Sequence, residues 1–178
     1  MTTSNITPPE ANEYAPFYAR YVSLVPNGDI LLTLEGQLSE TLKLLRGITE
    51  SQADSRYAPG KWSIKEVVGH ITDTERIFAY RALRFARNDQ TPLPGFEQDD
   101  YVRYAAFDKY RLSDLTREFE LVRQANLLLF RNLDEAAWHR RGTASEREIS
   151  VRALAYIIAG HELHHVGILK ERYLSTQI

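Results

Sequence analysis

The segment from Trp62 to Arg87, WSIKEVVGHITDTERIFAYRALRFAR, carries the clearest helix signature in the chain. Ser63 and Glu66 form an S-x-x-E capping box, in which each side chain satisfies a free backbone N–H at the other's position. Ile64, Val67, Ile71, Phe78, Ala82 and Phe85 then recur on one face, and Pro59-Gly60 breaks the chain just before. Working outward, three more helices follow from the same periodicity. One from about Asp29 to Arg46 presents Ile30, Leu34, Leu38, Leu42 and Leu45 and stops at Gly47. Another, from about Leu115 to Asn132, repeats Leu115, Phe119, Val122, Leu129 and Leu133. The last begins after Ser150, a good N-cap, and runs to about Tyr173.

Alternating β-branched runs bounded by tight turns are missing, so strands are not expected. The connection from about Asn88 to Ser113 is long for a compact domain. It can run the full height of a bundle and make the second and third helices parallel neighbours. Ahead of the first helix, Pro8, Pro9, Pro16 and Pro26 limit regular structure, and Tyr14, Phe17, Tyr18 and Tyr21 lie among them. The expected fold is all-α: a four-helix bundle over 28–178 with long crossover connections, and an N-terminal arm over 1–27 packed on it by its aromatic rings.

The 178 residues suffice for one domain with a real core. With 22 basic against 24 acidic residues the formal charge is −2, and no basic stripe marks a nucleic-acid surface. Cysteine is absent, which excludes disulfides, thiolate ligands and a cysteine nucleophile. No apolar signal segment opens the chain, and the longest apolar stretch, about Ala153 to Ala159, is too short to cross a bilayer. A cytoplasmic protein with no membrane partner is expected.

Four of the five histidines fall in two helices. His161 and His165 are one turn apart and separated by about 40° around the axis, so both share the stripe of Leu154, Ile158 and Leu169. His70 lies on the flank of the second helix's apolar stripe. Buried imidazoles need partners for their ring nitrogens, and a metal ion satisfies several at once. Three histidines are the ligand count of a catalytic zinc site with one open position. Spacing alone leaves a hydrogen-bonded core trio as the alternative. His164, at the stripe's edge, reads as a surface residue or an outer partner of the ligands, and His139, beside Trp138 in a loop, as structural. His161-Glu162-Leu163-His164-His165 also satisfies the zinc-protease pattern H-E-x-x-H. The metzincin extension of that pattern fails, because Ile168 and Glu171 stand where glycine and histidine are required.

The run Trp62-Ser63-Ile64-Lys65-Glu66-Val67-Val68-Gly69-His70, followed far downstream by His161-Glu162-Leu163-His164-His165, resembles the DinB-like/YfiT-like superfamily over about residues 28–175. That resemblance implies a four-helix bundle with long crossovers, often a homodimer, with one divalent metal ion per chain on His70, His161 and His165. Zinc is the expected ion, with nickel or iron as alternatives. It further implies transfer or isomerisation chemistry with a low-molecular-weight thiol, or hydrolysis, on a small-molecule substrate. Many members carry H-H-x-x-Q, whereas here Ile168 replaces the amide.

Beyond the ligands the sequence offers weaker candidates. Arg172, about two turns past His165, is placed to bind an anionic group or to cap the helix's negative end. Glu162 is a candidate base, with a helix-surface or helix–helix contact the favoured reading. Asp73 and Glu75 are candidates to orient a ligand imidazole, with a solvated face the favoured reading for both. The aromatic crossover around Phe96 to Tyr110 is a candidate pocket wall. The alternative to an enzyme is a non-catalytic, metal-stabilised binding or stress-response module with a closed site.

Overall fold

The computed structural model describes residues 6–175. Four long helices dominate: α1 (Ile30–Arg46), α2 (Ile64–Ala86), α3 (Leu112–Arg131) and α4 (Val151–Ile168), the last running into a π-helical turn, Leu169–Leu174. Their starts follow from side-chain caps. The Asp29 carboxylate accepts from the Leu31 N–H, Ser63 and Glu66 close the capping box, and Ser150 Oγ accepts from the Ala153 N–H.

Side-chain pairs fix the helix directions. Glu50 accepts from the Leu112 N–H at the start of α3 and binds Lys65 at the start of α2. Further along, Glu75 meets Arg123, so α2 and α3 run parallel. Glu35 pairs with Arg131 and Arg46 with Glu120, which sets α1 antiparallel to α3. Gln37 reaches the Ala159 carbonyl and Thr41 reaches Glu162, so α1 and α4 are parallel. The Tyr173 hydroxyl donates to the Trp62 carbonyl while His70 meets His161, so α4 opposes α2. Around the ring the neighbours are α1, α3, α2, α4. The parallel α2–α3 pair requires the long crossover, which holds a short helix of its own, Gln98–Ala105.

Three local expectations need correction. The α3–α4 connection contains a hairpin, β1 (Arg141–Ala144) paired antiparallel with β2 (Arg147–Ser150). Ser145 and Glu146 both take positive φ, 51° and 62°, at its turn. The crossover joins it, since the Leu93 N–H donates to Thr143 O and the Ser145 N–H to Leu93 O. The buried stripe of α3 is rotated from the one expected: it consists of Leu112, Leu115, Thr116, Phe119, Arg123, Leu127 and Phe130, with Val122 and Leu129 only half-buried. His139 ends a short helix, Glu135–His139, rather than lying in a loop.

Residues 6–27 lie along α4. The Tyr21 backbone presses so closely on Gly160 that a Cβ there would sit 2.0 Å from the Tyr21 carbonyl oxygen. A buried carboxylate adds to the aromatic contacts. Glu13 accepts from Ser150 Oγ at 2.6 Å and from Arg152 Nε at 2.8 Å. Burial alone would raise the Glu13 carboxyl, but Arg152 and Ser150 bring it down to about 2. Among the described residues no helix is long and apolar enough to cross a membrane.

The core is divided. One apolar cluster, including Leu34, Phe85, Phe130 and Trp138, fills the hairpin end, and another, including Leu45, Ile64, Phe119 and Leu169, fills the opposite end. Between them every long helix contributes buried polar groups: Thr41, His70 and Glu75, Arg123, then His161 and Glu162. This polar layer positions the site.

Candidate metal centre

Within the layer, α2 carries His70 and α4 carries His161 and His165 to one point. His161 Nε2 lies 3.0 Å from His70 Nε2 and 3.1 Å from His165 Nε2. One candidate ligand atom from each of the three residues lies within 4.8 Å of the others. His70 and His161 are only 2% and 5% exposed. A neutral ring nitrogen has one in-plane position, holding either a proton or a lone pair, so His161 Nε2 cannot make good hydrogen bonds to both neighbours. Nitrogens about 2.0–2.1 Å from a shared zinc ion stand roughly 3–3.4 Å apart, which matches the spacing here. The donor set therefore fits a metal ion better than it fits mutual hydrogen bonding. The group contains no fourth His, Cys, Asp or Glu ligand among the described residues.

Neighbours fix the rings. Trp62 packs against His70 with centroids 4.8 Å apart, and Tyr21 meets His161 edge-on at 5.3 Å. Thr74 Oγ1 stands 3.5 Å from His70 Nδ1. Burial pushes the His70 imidazolium down to about 4. Burial, then the neighbouring His70, His164 and Arg20 charges, push His165 down to about 3, and His161 falls well below its ordinary value for similar reasons. All three are neutral at pH 7, the form that ligates metals.

Those depressed values set an expected pH dependence. The unfolded chain takes up protons near pH 6.5, whereas the folded metal-free protein refuses them until about pH 4 at His70 and about pH 3 at His165. Stability is therefore complete above 6.5 and lost as pH falls through that window. Urea unfolding of chelator-treated protein is expected to show a loss between pH 7 and pH 5 of roughly 2 kcal/mol per imidazole.

The other candidates separate. Glu162 is a buried helix–helix contact: it accepts from Thr41 Oγ1 at 2.6 Å and from Arg123 Nη2 at 2.7 Å. Its carboxyl is raised by burial, against the pull of Arg123. Glu75, expected on a solvated face, is instead buried and bound by Arg123 through Nε and Nη2, both at 2.8 Å. Asp73 is half-buried and pairs with Arg76. Arg172 is exposed in the π-helical turn. His164 is half-buried and meets the Tyr21 ring edge-on. Arg123, which links both buried glutamates, is the residue that sequence reading misses. Its signal is its place on the stripe of Leu115, Phe119 and Leu127, where a charge demands buried partners.

Two cavities reach the histidines. One, of about 280 Å³, touches His70 and His161 and is walled by Phe17, Tyr18, Phe78 and Phe96. The other, of about 310 Å³, touches His165 and is walled by Trp62, Ile168, Tyr173, Lys61 and Asp99. Ile168, at the position of the missing glutamine, thus forms an apolar part of that wall. Of the aromatic crossover, Phe96 lines the first cavity, while Tyr101, Tyr104 and Tyr110 are exposed.

A sequence profile described as the DinB superfamily matches residues 33–169. Two curated relatives, each named "putative metal-dependent hydrolase", align with the chain. The one from Oceanobacillus iheyensis is 26% identical over 144 residues, 78% of this chain and 78% of its own. The one from Bacillus licheniformis is 27% identical over 146 residues, 76% of this chain and 80% of its own. Among solved structures, YfiT from Bacillus subtilis, described as "a probable metal-dependent hydrolase with an unusual four-helix bundle topology", superposes with a TM-score of 0.66 at 15% identity. It covers 92% of this chain and 89% of that one. A mycothiol-dependent maleylpyruvate isomerase also gives 0.66 at 14% identity, over 82% of this chain and 61% of that one. These likenesses establish the shared fold.

Proposed function

The chain belongs to the DinB superfamily, and from that premise we propose that it is a metal-dependent enzyme acting on a small molecule, with His70, His161 and His165 as the ligands of one divalent ion. The observation that carries this reading is the convergence of three neutral Nε2 atoms, 3.0 and 3.1 Å about His161, beside open cavities. Zinc is the expected ion, and nickel or iron would suit the same donors. A closed structural site would call for a fourth protein ligand.

When bound, the ion supplies Lewis acidity and lowers the pKa of a nucleophile at neutral pH. The chain's own part is positional. With Nε2 directed to the ion, each neutral ligand imidazole keeps its proton on Nδ1. Trp62 and Tyr21 hold their histidine partners against rotation and keep water from the ring faces. The chain has no cysteine, so a thiol nucleophile must come from outside. Thiol-dependent transfer is the first reading, in keeping with the mycothiol dependence of the isomerase that shares this fold. Hydrolysis is the second, favoured by the names of the two curated relatives. We further propose a cytoplasmic homodimer in which residues 1–27 serve as an arm on the unit 28–178, of which 1–5 and 176–178 lie outside the described residues.

Steady-state assays test this. Metal-loaded protein is expected to turn over small thiols with alkylating electrophiles, or simple esters and amides, and to stop after chelation. Absence of metal-dependent turnover of either kind would overturn the enzyme reading.

A further inference from the structure

The two cavities differ in the charges they carry, and the histidine cluster stands between them. Aromatic rings wall the first, Phe17 and Tyr18 from the arm, Phe78 from α2 and Phe96 from the crossover, with Tyr18 edge-on to Phe78 at 5.9 Å and the exposed Glu97 as its one charged residue. The arm residues precede residue 33, outside the region matched by the superfamily profile, so this wall belongs to the chain's individual part. The second cavity also has rings, Tyr57, Trp62 and Tyr173, but differs in holding Lys61 and Asp99 at its exposed margin, one charge of each sign, neither of which forms a salt bridge among the described residues. Gln98 lines the first cavity and Asp99 the second, so the start of the crossover helix divides them.

We propose that this is a two-ligand site. The arm-side cavity takes the aromatic portion of one substrate, with Phe17 and Phe96 as specificity-determining residues. The Trp62-side cavity takes a small dipolar ligand, its carboxylate toward Lys61 and its ammonium toward Asp99. Both ligands reach the histidine cluster together, from different sides. An aromatic face gains area and ring contacts in the first cavity that a charged ligand would not. Opposed unpaired charges give the second a matching orientation for a zwitterion. The inference deepens the enzyme reading above and favours a two-substrate transfer over hydrolysis.

The test is a pair of ligand-observed NMR titrations on metal-loaded and metal-free protein. The probes are 1-naphthalenemethanol for the first cavity and S-methyl-L-cysteine for the second. Both are expected to bind at once, neither displacing the other. Lys61→Ala and Asp99→Asn are each expected to weaken S-methyl-L-cysteine about fivefold, near 1 kcal/mol, while changing naphthalenemethanol by less than about twofold. Phe17→Ala and Phe96→Ala are expected to do the reverse. All four positions are exposed or half-buried, and unchanged thermal unfolding verifies that each variant folds. Mutual displacement, failure of either probe to bind, or equal effects of both variant pairs on both probes would overturn the proposal. Protein that takes up no metal yet shows this pattern would instead contradict the metal-dependent reading alone.

Discussion

Arg123→Met is expected to destabilise the protein by about 3–5 kcal/mol in urea unfolding at neutral pH. Arg123 is 1% exposed and lies at the centre of the polar layer. It donates two hydrogen bonds to Glu75 and one to Glu162, and a third group, the Leu34 carbonyl, accepts from Nη1 at 3.1 Å. Methionine fills much of the volume, so the cost falls on electrostatics: two carboxylates remain in an apolar interior without their cation. Asn126 and Thr41 each satisfy one oxygen but bring no charge. The pH dependence distinguishes this cause from packing. In the variant Glu162, whose carboxyl burial already raises, takes up a proton in the folded state, so its folded pKa stands above the unfolded value. Stability is then retained at low pH and lost as pH rises, and the deficit is expected to be larger at pH 8 than at pH 5. A pH-independent loss under about 1 kcal/mol would show that the layer is not held by these charges.

His161→Ala is expected to have the largest effect on function. His161 is the shared vertex of the cluster, since the other two Nε2 atoms both lie within about 3.1 Å of it. Removing an outer partner of a metal ligand already costs about 10–100-fold in affinity, so loss of the central ligand is expected to cost more than 100-fold and to abolish metal-dependent turnover. His70→Ala is expected to behave similarly. The contrast with His164→Ala is informative, because His164 packs on Tyr21 and lies outside the cluster. That variant is expected to keep its metal. Equal metal affinity in His161→Ala and in the unaltered protein would remove the cluster from the account.

Much of this was legible in the residues because it rests on local chemistry. Caps at Ser63 and Ser150 locate two helix starts, and the turn-apart His161 and His165 must share a face. The long Asn88–Ser113 connection pointed to parallel α2 and α3, which the Glu75–Arg123 pair fixes. What escaped reading depends on partners far along the chain. The hairpin has four-residue strands and a Ser-Glu turn, without the Asn-Gly or Asp-Gly that announces positive φ. The α3 stripe was set by Val122 and Leu129 because a hydrophobic pattern passes over arginine, although Arg123 occupies a core position. Glu75 and Glu162 looked solvated or ambiguous for the same reason, since only folding brings Arg123 to both. The cavities combine side chains from the arm, the crossover and α2, which no local pattern connects.

Metal content is the most direct test of the central claim. Tag-free protein, purified and then analysed by inductively coupled plasma mass spectrometry, is expected to hold about one divalent ion per chain, lost in His70→Ala, His161→Ala and His165→Ala. Protein that stays metal-free after reconstitution with zinc, nickel and iron would contradict it, leaving the three histidines as core residues.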